Sequence, residues 1–295
     1  MSRKGIRKLS WAEVWELAKT SFGEFFKGDS FTHGAALAYY AIFALVPIIY
    51  LAIAGIGMFL GQEKIIEIVG FLMESKMGIE DVSTFTDLMY KWDIGSGGTV
   101  LLKVVGTAVL IFTSTAMFNS LRNSLNVFFN IQPNHRYNVV LESLLSRLVS
   151  FGIMALLAVI IIVVYFAQSV LIAFGNEFFS DGSFIQKTFL LVFEHFTIIL
   201  VNFLIFAFIF KYLHDGVIRW KLAFGGSLFT AILLYLGQII INYYLSNFFF
   251  AANSGIAGTL LAILTWIFYT SQIIFLGAKF TAVYARKVGR PITPK

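Results

Sequence analysis

From Leu222 to Ala278 the chain contains no charged residue. A bilayer is crossed by about 20 apolar residues in a helix, so this run is too long for one membrane helix and long enough for two. Ser246-Asn247 and Asn253-Ser254-Gly255 supply the turn between them. The run therefore reads as two spans, about 222–245 and 255–278. Composition agrees. Hydrophobic residues make up 58% of the 295 and charged residues 13%, against about 45–50% and about 25% in soluble domains. A water-soluble domain of this size needs more polar surface than these residues supply. The 33 Phe and 12 Tyr suit a lipid-facing protein with aromatic belts.

Four further apolar stretches are long enough to cross, at about 33–60, 99–121, 148–174 and 188–210. Pro47 lies inside the first of these. It removes a backbone hydrogen bond and is expected to kink the helix, with neighbouring helices re-satisfying the freed carbonyl. Residues 62–98 differ in kind. Glu63, Glu67, Glu74, Glu80, Asp81, Asp87 and Asp93 alternate with apolar residues there, as in one or two short amphipathic helices outside the membrane. Gly95-Ser96-Gly97-Gly98 then forms a flexible joint. In residues 1–30, Trp11, Val14, Trp15, Ala18, Phe22, Phe25 and Phe26 recur at helical spacing among basic residues. This segment reads as an amphipathic helix on the membrane surface, the alternative being a helix packed against the bundle.

The expected fold class is all-α: a polytopic membrane helix bundle of six transmembrane helices, with an amphipathic N-terminal segment over 1–30, a six-span membrane domain over 31–280 and a basic tail over 281–295. Orientation follows from Lys and Arg. Six lie in the N-terminal segment, three in 119–147 (Arg122, Arg136, Arg147), three in 211–221 (Lys211, Arg219, Lys221) and five after Ala278 (Lys279 and four in the tail). The other side holds Lys64, Lys76, Lys91, Lys103 and Lys187. The positive-inside rule puts the richer side, with both termini, in the cytoplasm of a bacterium and makes anionic inner-leaflet lipids natural contacts. The net charge of +6 thus reads as topology rather than nucleic-acid binding. No cleavable signal peptide is apparent.

Polar residues inside the membrane are costly, which makes each a functional candidate. Asn119, Arg122, Asn123 and Asn126 share one helical stripe at the cytoplasmic end of the second span. Such a stripe can grip a phosphate or carboxylate, or Arg122 can simply snorkel while the Asn residues bond neighbouring helices. A second group comes from three spans: Gln168 in the third, Glu194, His195 and Asn202 in the fourth, Gln238 and Asn242 in the fifth. Convergence would make a polar cavity, and separate interhelical hydrogen bonds are the alternative. His33 reads as a hydrogen-bonded interface residue. The four His show no HExxH pairing and there is no Cys, so neither a metal nor another cofactor is expected. No P-loop or GxSxG elbow appears, and no enzymatic activity is expected.

Three stretches carry a family resemblance. Gly34 to Tyr40 through Leu45-Val46-Pro47 resembles the opening span of the YihY/BrkB family of bacterial inner-membrane proteins. Ser114 to Asn126 (STAMFNSLRNSLN) is similar to that family's Asn-containing end of the second span. Gly255 to Lys279 has its Gly-rich start and, at Trp266, Leu276, Gly277 and Ala278, its Trp and Leu-Gly-Ala positions. The resemblance covers about residues 20–285. It implies a six-span inner-membrane protein linked to serum resistance and to envelope or lipid phenotypes. An older ribonuclease label for the family finds no support here, because the sequence lacks a catalytic His/Asp cluster. The function expected is a membrane transporter or a translocase of a lipid or anionic amphiphile. The alternative is a non-transporting scaffold or regulatory subunit in envelope assembly.

Overall fold

The computed structural model describes residues 10–55, 61–77, 82–91, 112, 116–132, 184–248 and 255–294. The third predicted span, most of the second, and Gln168 lie outside them. Helices dominate: α1 (Trp11–Phe26), α2 (Ser30–Gly55), α3 (Gln62–Met77), α4 (Ser83–Lys91), α5 (116–128), α6 (Phe184–Tyr212), α7 (Trp220–Phe248) and α8 (Gly255–Lys287). Two short strands, β1 (Gly216–Val217) and β2 (Thr293–Pro294), pair antiparallel, Gly216 opposite Pro294 and Val217 opposite Thr293. Among the described residues, three segments are long and apolar enough to cross a membrane: Thr188–Tyr212, Trp220–Phe248 and Ala257–Lys287. The uncharged run is thus two helices, as its length requires. The second of them continues to Lys287, well past the expected boundary at Ala278. Helix α2 runs through Pro47, whose ring lies outside the described side chains.

The chain divides into two compact units. The first comprises 1–27, 125–235 and 275–295, and the second 28–124 and 236–274.

In the first unit, α7 and α8 approach through a reciprocal pair of small residues. A Cβ on Gly226 would meet Thr281 Oγ1 at 1.8 Å, and a Cβ on Gly277 would meet Thr230 Oγ1 at 1.9 Å. Each Thr follows a Gly by four residues on its own helix. The Thr230 hydroxyl donates to the Gly226 carbonyl and the Thr281 hydroxyl to the Gly277 carbonyl, both at 2.8 Å. Each helix therefore presents one knob and one hole, and both hydroxyls are satisfied without water. Lipid tails are as apolar as the side chains, so close backbone approach of this kind is what holds membrane helices together.

Helix α1 is fixed to the same unit. Ser10 and Glu13 form a capping box: Glu13 N–H donates to Ser10 Oγ (3.3 Å) and Ser10 N–H to Glu13 Oε2 (2.8 Å). Leu17, 1% exposed, packs with Phe280 and Val283 of α8. Glu24 pairs with Arg286 and Glu16 with Lys287, each at 2.5 Å. So α1 does pack against the bundle along one face. Trp15, Phe22 and Phe26, at i, i+7 and i+11, form a second apolar face that is exposed. The two faces predict an ordering of effects. Leu17→Ala should lower stability by about 2–3 kcal/mol through lost packing. Glu24→Gln should cost below about 1 kcal/mol, because exposed ion pairs are worth little. Thermal melting of the two variants in one detergent checks the order.

In the second unit, α3 and α4 fill the predicted acidic insertion. Ile65, Ile66, Met73 and Met89 are buried in one cluster with Ile241 and Leu245 of α7 and Ala262 and Ile263 of α8. Glu63, Glu67, Glu74 and Asp87 stay exposed. Gly34 of α2 lies against Ser271 and Gln272 of α8. His33 Nδ1 is 3.0 Å from Ser124 Oγ, and that hydroxyl donates to the Ser120 carbonyl (2.8 Å). The Ser124 hydrogen being committed, His33 acts as the donor, consistent with an interface residue.

Candidate functional site

Helix α5 ends where the chain needs a left-handed residue. Asn130 has φ +57°, a conformation that Asn tolerates better than other non-glycine residues. Ile131 N–H donates to the Asn126 carbonyl (2.8 Å) and Asn130 N–H to the Val127 carbonyl (3.1 Å). This is the Schellman arrangement, and it satisfies the last carbonyls of the helix. The turn brings Asn126, Phe128, Phe129 and Asn130 of the first unit to one place.

Asn126, 3% exposed, clasps the turn between α6 and α7. Its Nδ2 donates to Asp215 Oδ2 (2.7 Å), and its Oδ1 accepts from the Asp215 backbone N–H (2.9 Å). His214 beside it is 1% exposed. Its Nδ1 accepts from Gly216 N–H (2.9 Å), which places the proton on Nε2, and Nε2 donates to the Phe210 carbonyl (2.7 Å). Both ring nitrogens are used, so His214 holds the turn in place and offers no lone pair to a metal. The ring also packs on Phe129 at 4.7 Å. Lys211 donates to the Ile218 carbonyl and lies over the Trp220 ring at 5.7 Å.

Lys279 reaches in from α8. It is 7% exposed. Its Nζ donates to Asn130 Oδ1 at 3.2 Å and lies 5.8 Å from the Phe128 ring centroid. Phe128 is itself stacked on Phe275 (4.8 Å) and Phe25 (6.0 Å). The α5 end, the α6–α7 turn, the end of α8 and α1 thus make one polar and aromatic assembly on the first unit.

The predicted stripe on α5 is divided. Asn126 belongs to this assembly. Asn119 and Arg122 are half-buried residues of the second unit, and Asn123 is exposed. Of the second predicted group, His195 meets a side chain of α7. Its Nδ1 shares a hydrogen bond with Tyr235 Oη of α7 at 3.0 Å, the rings meeting edge-on at 5.7 Å. Asn202 is half-buried further along α6. The Glu194 side chain, like Gln168, is outside the described residues. Gln238 and Asn242 lie half-buried on α7 in the second unit, whereas His195 and Tyr235 belong to the first. Among the described residues no group of three His, Asp or Glu is placed to hold a metal ion.

Sequence reasoning missed Asn130, Asp215, His214, Tyr235 and Lys279. Asn130 carried a readable signal, an Asn closing an apolar helix three residues before Pro133. Lys279 did not, because a Lys just beyond an apolar run reads as an interfacial charge.

Comparison with known proteins agrees with these observations. A UPF0761 membrane protein of Glaesserella parasuis serovar 5 (strain SH0165) is 26% identical over 189 residues, 62% of this chain. The aligned stretch spans 61% of that relative's length. No solved structure matches. The profile of the family described as virulence factor BrkB matches residues 21–295. With apolar helices of membrane-crossing length beneath that match, the chain is a membrane protein and belongs to the virulence factor BrkB family.

Proposed function

We propose that the chain is a transporter of the bacterial inner membrane that moves a lipid or an anionic amphiphile, with six spans and both termini in the cytoplasm. The observation that carries this reading is the His195–Tyr235 pair. A His and a Tyr meet between two mostly apolar helices, and an ionisable residue at membrane depth is by default a candidate for a transport pathway. The sidedness has its own support. Helix α1, the end of α5, the α6–α7 turn and the end of α8 hold one another in a single unit. First and last elements held together at one end are what an even number of crossings would produce, and among the described residues Lys19, Lys27, Lys211, Arg219, Lys221, Arg286 and Lys287 lie on or beside these elements, which supports a cytoplasmic reading of that end.

The test is reconstitution into liposomes with a fluorescently labelled phosphatidylglycerol, scored by how fast label moves out of reach of an external quencher. The protein should raise the rate by about tenfold or more over protein-free liposomes, a barrier change of ~1.4 kcal/mol. Tyr235→Phe, which removes one hydroxyl, should return much of that gain. A rate equal to that of empty liposomes removes the transport reading. In its place the exposed acidic face of α3 and α4 (Glu63, Glu67, Glu74, Asp87) favours the scaffold alternative, with that face as the partner surface.

A further inference from the structure

We propose that Lys279 and Asn130 form a binding site for a phosphate group at the first unit's charged end, and that the site exists whether or not the protein transports.

Among the described residues, Lys279 is a buried cation that forms no ion pair. Its only hydrogen bond among the described residues goes to an amide oxygen, Asn130 Oδ1. An ammonium has three donors, so two remain. The charges that act on it are those of Glu24 and Arg286, and the Glu24 carboxylate is already paired with Arg286. Among the described residues two cations therefore share one carboxylate, which leaves one positive charge uncompensated on a residue that is 7% exposed. Burying an unpaired charge is expensive, and a paired one much less so.

The end of α5 accounts for little of this. A helix C-terminus attracts cations, but here the Asn130 and Ile131 amides already engage two of its terminal carbonyls, those of Val127 and Asn126. The Phe128 ring gives Lys279 an apolar floor backed by Phe25 and Phe275, which contributes a face but no negative charge.

The neighbouring donor points to an acceptor ligand. With its oxygen spent on Lys279, Asn130 keeps its Nδ2 hydrogens for donation, and the residue is exposed. A buried ammonium joined to an exposed amide N–H₂ makes a donor-only pair beside the Phe128 ring. That combination suits a phosphate, which accepts several hydrogen bonds and cancels the residual charge. A lipid headgroup and free inorganic phosphate share this chemistry.

The probes are dioctanoylphosphatidylglycerol, dioctanoylphosphatidylcholine and inorganic phosphate, each titrated onto the full chain in phosphatidylcholine nanodiscs, with the shift in thermal unfolding midpoint as readout. Phosphatidylglycerol, whose phosphate leaves the headgroup net negative, should raise the midpoint, and phosphatidylcholine, whose choline already neutralises its phosphate, should not. Lys279→Gln should weaken the phosphatidylglycerol response by about tenfold or more, and Lys279→Arg should retain it. Asn130→Gly should also weaken it, since glycine keeps the left-handed backbone and removes only the amide. If inorganic phosphate reproduces the shift, the free ion is a ligand. If it neither shifts the midpoint nor competes, the source is a lipid headgroup. Both outcomes support the site. Equal responses to the two lipids, or wild-type responses from Lys279→Gln and Asn130→Gly, overturn it. Should Lys279→Gln fail to fold, Asn130→Gly and Lys279→Arg decide alone.

Discussion

Valine at Gly277 will abolish stable folding, and the loss will be traceable to a single contact. The added Cβ would stand 1.9 Å from Thr230 Oγ1 and 2.8 Å from Thr230 Cβ. Thr230 cannot swing away, because it is fully buried and its hydroxyl is bonded to the Gly226 carbonyl. Overpacking costs about 1–3 kcal/mol in ordinary cores and more where neither side yields. Here two helix backbones would have to separate, so we expect about 3 kcal/mol or more, seen as loss of the monodisperse peak on gel filtration. Gly277→Ala should be milder and rescuable. Combining it with Thr230→Gly moves the knob to the opposite helix, so the double variant should recover most of the stability that Gly277→Ala loses. A double variant no better than the sum of its single changes would show that this pair does not set the α7–α8 approach. Gly34 offers a contrast. A Cβ there meets the end of the flexible Gln272 side chain at 1.8 Å, which can turn away, and Ser271 Oγ less severely at 2.8 Å, so Gly34→Ala should cost less than Gly277→Ala.

The second large effect is expected at the clasp between α5 and the α6–α7 turn. Asn126→Asp keeps the shape of the residue and replaces the amide donor by a carboxylate, 2.7 Å from Asp215 Oδ2. Two carboxylates at that distance cannot both be ionised without severe repulsion, so one must hold a proton in the folded state. That raises the pair's proton affinity above its unfolded value. The variant's stability is therefore best retained at low pH and lost as pH rises through the raised value. Wild-type protein has a neutral amide there and lacks this dependence. The stability gap between wild type and Asn126→Asp should be small near about pH 4 and widen by about 2–3 kcal/mol toward about pH 8. Urea or thermal denaturation across that range measures it. A gap constant with pH would mean that Asp215 turns away from position 126 in the variant.

Much of the fold was legible because lipid imposes a simple rule on sequence. The uncharged run from Leu222 to Ala278 could only be two helices, and Ser246-Asn247 and Asn253-Ser254-Gly255 marked where they part. The amphipathic pattern of residues 62–98 likewise foretold α3 and α4. The α1 pattern was read correctly as helical, but its apolar arc held two faces. Leu17 and Phe25 are buried while Trp15 and Phe26 are exposed, and periodicity alone does not say what an apolar face meets. The contacts that define the first unit were less readable. Gly226-x-x-x-Thr230 and Gly277-x-x-x-Thr281 are visible as spacings, but their meaning lies in the register that sets each Thr against the other helix's Gly. Asn126 stood out as a polar residue on a stripe. Its partner Asp215 lies 89 positions away, and no local pattern connects the two. Tyr235 drew no notice because an aromatic residue in an apolar helix is ordinary until a His is found opposite it.

The proposed transport needs the basic assembly on the cytoplasmic side and the acidic helices outside. Because the chain has no cysteine, single cysteines can report this in intact cells. Thr20 on α1 and Arg219 beside the α6–α7 turn are exposed residues of the first unit, and Glu74 on α3 and Asp87 on α4 are exposed residues of the second. Each would be replaced in turn and challenged with a membrane-impermeant maleimide before and after the cells are opened. Labelling of positions 74 and 87 from outside, with positions 20 and 219 reacting only after lysis, is the result expected of an even-span protein with both termini inside. Labelling of position 20 or 219 in intact cells, or protection of both 74 and 87, would contradict it.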